Sequence, residues 1–400
     1  MFIFQISIRV GNYVTDFFKK CDKYLVTILI LMERATVMSG KKPYFCIQNH
    51  ITLTHQEKSS QIRREINLAY QQLKGAYPIL KLQNSIGLAI FLIAIIAILA
   101  VSIGWYKTLV PTWLMIVANA FFMGVLHEIE HDLIHWLYFK KQKTVHHFML
   151  FTVWILRPLT VNPWIRRTLH HHHHKFSGTL HDVEERSVTN GERWTIKRLL
   201  TTPDVVLGGL LRLHRMFSDM DREVRNGNLK VETSSKLKQI MFLSIVPVTI
   251  FAHAILYFFF VDALLDWLNG YSVVGLSFPH YVDNMLISLN VIIYTILLPN
   301  LLRQFCLHFI TSNMHYFGDV EEGNVIEQTQ VLNIWWTYPM QLFCFFFGWT
   351  HSIHHFVVNE TFYVRHIGRK KAQEVLKKYG VRFNDLGTFK RANRFREFSK

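Results

Sequence analysis

Residues 85–106 contain no charge and are almost all Ile, Leu, Ala, Val and Phe. In hydrocarbon every backbone N–H and C=O must be satisfied within the segment, so an apolar run of about 20 residues is read as a membrane-crossing helix. Lys107 is the only charge before a second apolar run, residues 109–126. The two runs are therefore expected to form a tight hairpin. The second continues without Pro into His127, Glu128 and His131, so its helix is drawn to residue 135 and carries those side chains on its last turns. Two further spans are expected at about 240–261 and 285–302. The aromatic stretch 331–349, broken by Pro339, reads as partly embedded.

Composition agrees. Half of the 400 residues are hydrophobic and 18% are charged, against about 25% charged in a typical soluble domain. The net charge of +16 invites a nucleic-acid reading, but its distribution argues for a membrane. Residues 136–238 hold 18 Lys and Arg against 9 Asp and Glu, and the tail 365–400 holds 12 Lys and Arg. The turns at 106–108 and 262–284 carry one Lys between them. The positive-inside rule puts the basic sections on the cytoplasmic side, facing anionic lipid heads. No RNP motif, zinc finger or basic zipper is seen, so no nucleic-acid partner is expected. Of the four cysteines, Cys21, Cys46, Cys306 and Cys344, none forms a C-x-x-C pair. They read as reduced packing residues, leaving imidazole as the metal ligand.

At the N-terminus, residues 24–32 are apolar but too short to span, the start is a poor signal peptide, and Met32 and Met38 are alternative starts. Residues 56–74 read as an amphipathic helix for the membrane surface, against a plain linker helix.

The 22 histidines are clustered. His127, His131 and His135 are spaced by four residues, so they advance about 40° per step and line one helical face. His170–His174 is an unbroken run of five. On a helix His170, His173 and His174 share an arc of about 100°, while His171 and His172 point aside. His351, His354 and His355 repeat that His-x-x-His-His pattern. Imidazole suits iron, zinc and copper. Eight such ligands are too many for one ion and about right for two.

These clusters resemble the three histidine boxes of the integral-membrane fatty acid desaturase superfamily, which includes alkane and fatty acyl hydroxylases. The match runs through His127-Glu-Ile-Glu-His131, His170-His-His-His-His174 and His351-Ser-Ile-His-His355, within roughly residues 85–365. Thr311-Ser-Asn-Met-His-Tyr-Phe-Gly-Asp319 resembles the segment that supplies a further histidine in the hydroxylase branch. The resemblance implies the metal ligands His127, His131, His170, His173, His174, His315, His351, His354 and His355, with His308 as a competitor to His315. His135 lies on the same face as His127 and His131, so the first pair can slip by one turn. Glu128, Glu130, Asp132, Asp182 and Asp319 are candidate acceptors for histidine N–H groups.

The expected fold class is all-α: a multi-pass membrane protein with four transmembrane helices in two hairpins and a cytoplasmic helical cap holding a histidine-rich di-metal site. The expected divisions are residues 1–84 as an interfacial extension, 85–365 as the desaturase-like domain and 366–400 as a basic tail. The resemblance implies two non-haem Fe ions, O2 as co-substrate and a long-chain fatty acyl substrate. Desaturation is the first expectation and hydroxylation the second. No Gly-x-Gly-x-x-Gly or His-Pro-Gly-Gly motif occurs, so electrons are expected from a separate ferredoxin-like or cytochrome b5-like donor with its reductase. The location implied is the bacterial inner membrane or the endoplasmic reticulum. Two rivals stand beside it. His127-Glu128-x-x-His131 matches the zinc metalloprotease helix. A metal transporter is the other, and predicts histidines along the spans, where only His253 lies.

Overall fold

The computed structural model describes residues 53–229, 245–270 and 277–396, with Gln239 and Leu243. The apolar stretch at 24–32 and the beginning of the expected third span lie outside the described residues. Those described are helical, with three isolated bridges and no strand.

The helices in chain order are α1 (His55–Ala76), α2 (Gln83–Tyr106), α3 (Thr112–Ile134), α4 (Lys143–Leu156), α5 (Pro163–Phe176), α6 (Val183–Ser187), α7 (Ile196–Thr201), α8 (Val205–Arg225), α9 (Val248–Gly270), α10 (His280–Ile292), α11 (Leu298–Met314), α12 (Val325–Gln328), α13 (Tyr338–Leu342), α14 (Phe347–Phe356), α15 (Phe362–Ile367) and α16 (Arg369–Lys378). Four are long and apolar enough to cross a membrane: α2, α3, α9, and α10 joined to α11 as one helix from His280 to Met314. The join is a π turn at Ile293–Leu297. Pro299 follows it and brings no N–H to the ladder, a common reason for a helix to change its register.

The expected spans 85–106 and 109–135 appear as α2 and α3, packed together across the short link 107–111. The third span runs further than expected, to Gly270, and the fourth begins earlier and continues through the apolar face of α11. The stretch 331–349 forms no helix of spanning length. Pro339 lies in the first turn of the short α13, which ends at Leu342, and Phe345 and Phe346 take left-handed backbone angles just before α14.

Helix α1 is present where residues 56–74 suggested it, started by a reciprocal cap: Thr54 Oγ1 accepts from Glu57 N (3.2 Å) and Glu57 Oε2 from Thr54 N (2.8 Å). Its apolar stripe does not face lipid. Ile62, Ile66 and Tyr70 are buried in one core with Ala372, Val375 and Leu376 of α16. Burying a side chain of that size stabilises by about 1.5–3 kcal/mol, and a core partner thus takes the place of the bilayer. The same core contains Met123, Leu126, Ile129 and Leu133 of α3 and Ile353 and Phe356 of α14. It locks two of the histidine-bearing helices together.

Candidate metal centre

Each histidine cluster sits where a helix ends. Helix α3 leaves its apolar part without a break, so His127 and His131 ride its last turns and His135 is its C-terminal cap. Helix α5 is started by Asn162, whose side chain accepts from Trp164 N and Ile165 N, with Pro163 at the first turn. That start places His170–His174 on its final turns. Helix α14 begins after the left-handed Phe346 and carries His351, His354 and His355. His315 caps α11 and pairs with Thr329 in an isolated bridge.

The four ends converge. His131, His135, His170 and His354 form one group whose ligand atoms lie within 4.8 Å of one another. His173, His315, His351 and His355 form a second by the same measure. His174 Nε2 lies 3.0 Å from His354 Nε2, and its ring centroid is 4.9 Å from that of His355, so it stands between the groups. The groups adjoin, with the rings of His131 and His351 5.7 Å apart.

These residues fit metal ions. The Nε2 atoms face one another: His131 to His170 (3.1 Å), His354 to His135 (3.0 Å), His351 to His315 (3.0 Å) and His351 to His355 (3.1 Å). The opposite nitrogens of several are spoken for. His170 Nδ1 donates to Glu184 (2.8 Å), His173 Nδ1 to Asp182 (2.8 Å), His315 Nδ1 to Thr311 O (2.9 Å) and His355 Nδ1 to Gln328 Oε1 (3.2 Å). A neutral imidazole has one N–H, so His170, His315 and His355 turn bare Nε2 lone pairs inward, where each can accept from a neighbouring ring or take a cation. Nitrogens about 2.1 Å from a common ion and at right angles are about 3.0 Å apart, which matches.

Burial holds most of the clustered imidazoles neutral. His170, His174, His351, His354 and His355 are pushed well below the usual imidazole range by desolvation and by neighbouring imidazoles. His315 is pushed down to about 3 for the same reasons. Burial would lower His173 too, but the charge and hydrogen bond of Asp182, with Glu184 and Glu185, raise it to about 9. Metal binding there would displace a proton.

Of the histidines nominated from the sequence, all but His127 stand in or against the two groups. His127 is buried, with neither ring nitrogen hydrogen-bonded, its ring 5.5 Å from that of Phe347 and 6.4 Å from that of His131. His135 stands in the first group in its place. His171 is exposed, and His172 packs on Phe176 with its nitrogens unpartnered. His308 bonds Gln304 (2.8 Å) and Thr202 O (2.8 Å) and stands in neither group.

The acidic candidates divide in the same way. Asp182 meets His173. Asp132 takes Tyr138 Oη (2.8 Å), Phe362 N (2.9 Å) and Arg365 (3.3 Å). Glu128 faces Arg365 at 3.6 Å. Glu130 pairs with Arg157 and Arg166, both at 2.7 Å. Asp319 caps the backbone of Phe395 and Arg396. Glu184, Glu185, Gln328 and Arg365 were missed. Arg365 Nη1 is 2.8 Å from His354 Nδ1, and Glu185 is 3.2 Å from His315 Nδ1. The only sequence signal was that Glu184 and Glu185 follow Asp182 after a single Val183.

The same arrangement tells against the rivals. Glu128 is taken up by Arg365 and His131 turns to His170, so the His-Glu-x-x-His pair does not close on one ion. His253 bonds its own helix at Thr249 O (2.8 Å), and its other nitrogen faces Asp204 (3.5 Å).

A cavity of about 500 Å³ opens beside the groups. His170, His173, His315 and His351 form part of its wall, and Leu169, Val206, Leu210, Leu213 and Met220 much of the rest.

No curated protein and no solved structure matches the chain. A family model does: that of fatty acid desaturases matches residues 107–387, more than half of the chain and all of the clustered histidines. Together with four spans and two imidazole groups, this match makes the chain a member of the fatty acid desaturase family.

Proposed function

We propose that the protein is an O2-dependent, non-haem di-iron oxidoreductase that desaturates a long-chain fatty acyl substrate. The observation that carries this reading is the contact between the two imidazole groups and an apolar cavity: the redox site and a place for a hydrocarbon chain share a wall. His131, His135, His170, His174 and His354 would hold one ion, and His173, His315, His351 and His355 the other. Bound iron would supply the power to activate O2 and remove hydrogen from an unactivated C–H bond.

The chain's own residues do the rest. Glu184, Asp182 and Gln328 orient the rings of His170, His173 and His355, which fixes which nitrogen faces the ion. The apolar wall excludes water and aligns the chain, and alignment decides whether a second hydrogen leaves or oxygen is inserted. Hydroxylation is the second reading, favoured by the His315-Tyr-Phe-Gly318 segment, whose backbone is tied to the site through Gly318 N and Gly178 O (2.7 Å).

The basic sections support a site on the cytoplasmic side by the positive-inside rule. They also suit an acidic electron donor, and coupling that does not respond to salt would remove that part. The whole reading is tested by mass spectrometry of host lipids with and without the gene. Loss of two hydrogens marks desaturation and gain of one oxygen marks hydroxylation. Purified protein with one zinc per chain and no iron would overturn both.

A further inference from the structure

His315 differs from the histidines of α5 and α14 in how its place is set. Those ride inside helices, and the helix aims them. His315 follows the last residue of α11 with extended backbone (φ −90°, ψ 134°), so the periodicity of α11 does not fix its direction. Its Nε2 nevertheless stands 3.0 Å from His351 Nε2.

The C-terminal segment holds the end of that helix. Asn393 is fully buried. Its Nδ2 donates to Ser312 O and to His315 O (3.4 Å), carbonyls at the helix end that lack an intrahelical partner. Its own backbone O accepts from Phe317 N (2.8 Å). Tyr316 Oη donates to Asp385 (2.8 Å), and Asp319 accepts from Phe395 N (2.8 Å). The backbone of Asn393 is left-handed (φ 64°), a conformation that Asn tolerates better than most residues. The residue lies beyond the segment 107–387 that matches the family.

A second path reaches the ring of His315 from the same side chains. Asn393 Oδ1 accepts from Nη2 of Arg198 (2.7 Å), which is fully buried in α7. That Nη2 is also 3.3 Å from Asn190 Oδ1, and Asn190 Nδ2 donates to Glu185. Glu185 stands 3.2 Å from His315 Nδ1. The contacts leave Arg198 in two directions and close on one residue, at its ring and at its carbonyl. Breaking a link leaves a buried polar group unpaired, so the network favours a single geometry.

We propose that Asn393 is a positioning residue for the second imidazole group: it clamps the end of α11 so that His315 faces His351, and the C-terminal segment belongs to the metal centre. This rests on the reading that the imidazole groups hold metal ions. Asn393 acts through His315 and touches neither ion nor substrate.

The test loads the full-length protein with Fe2+ in the absence of oxygen and titrates it with a chelator, with bound iron read by elemental analysis. Asn393→Asp keeps the size, the left-handed backbone and the acceptor for Arg198, but turns an oxygen toward Ser312 O and His315 O. Asn393→Gly keeps the backbone and removes the side chain. Each should weaken one of the two ions at least about tenfold, as loss of outer partners of metal ligands does, and leave the other unchanged. If Asn393→Gly fails to fold, Asn393→Asp decides alone. Both ions held as tightly as in the unaltered protein would overturn the proposal.

His135→Ala combined with Asn393→Asp should bind almost no iron, because the two losses fall on different groups. A double variant that keeps one ion would place both losses in the first group and overturn the clamp. Thr54→Ala weakens the cap of α1 and touches no member of the network, so it should keep both ions. A loss as large as that of Asn393→Asp would reduce Asn393 to general stability and overturn its positioning role. Two zinc ions in place of iron, with the same selective loss, would sink the proposed function and leave the clamp standing. Two irons that Asn393→Asp does not loosen would do the reverse. An unaltered protein that binds no metal would overturn both.

Discussion

His173 Nδ1 lies 2.8 Å from Asp182 Oδ2, nine residues further along the chain, and both groups are buried. The carboxylate does two jobs, because Asp182 also starts α6 by accepting from Glu185 N (3.2 Å). Asp182→Asn keeps the cap and an acceptor for His173 but removes the charge. Metal affinity should fall about 10–100-fold, the usual cost of losing such a partner. Elemental analysis after dialysis against a graded chelator reads it. Asp182→Ala should in addition lose about 1 kcal/mol with the cap.

His135 and His127 flank His131 by one turn on either side, and only His135 stands in an imidazole group. His135→Ala is expected to lower metal content toward one ion per chain. His127→Ala is expected to keep two. Metal-to-protein ratios on the purified variants check this, and the opposite pattern would return the first pair to His127 and His131.

His171 is exposed at the side of α5. His171→Ala should retain both ions and change stability within about 0.5 kcal/mol, as surface substitutions do. A loss of metal would show that α5 presents a different face from the one described.

Gly124 lies in α3 where a Cβ would stand 2.6 Å from Phe343 O. Alanine is ordinarily about 1 kcal/mol better than glycine within a helix. Here that gain is opposed by a clash with backbone that has no rotamer to yield. Gly124→Ala should destabilise by about 1–3 kcal/mol, seen as a lower midpoint of thermal unfolding in detergent.

Asp385 gathers Tyr316 Oη (2.8 Å), Arg382 (3.0 Å) and Arg391 beside the residue that follows His315. Burial would raise its carboxyl, but the hydrogen bonds from Tyr316, Arg391 and Arg382 prevail and hold it below the ordinary value of 3.8. A depressed carboxylate stabilises fully above that value and loses its contribution as pH falls through the lower folded value. Asp385→Asn should therefore speed proteolysis near residues 386–396 at neutral pH. The difference from the unaltered protein should disappear on acidification below 3.8.

The sequence alone determined the membrane helices. An uncharged run long enough to cross the bilayer can satisfy its backbone only as a helix, and that rule is local. It also determined which histidines share a face, because 100° per residue puts His170, His173 and His174, and again His351, His354 and His355, on one side of their helices. Tertiary structure decided the rest. His127, His131 and His135 are equivalent by spacing; the join of α3 to α5 and α14 selects the last two by bringing His170 and His354 opposite them. Gln328 and Arg365 reach clustered histidines across 27 and 11 residues of chain. No periodicity encodes such contacts, since they depend on how separate helix ends pack. The fate of α1 was settled in the same way. Its apolar stripe suits a lipid surface or a protein core equally well, and the presence of α16 decided between them.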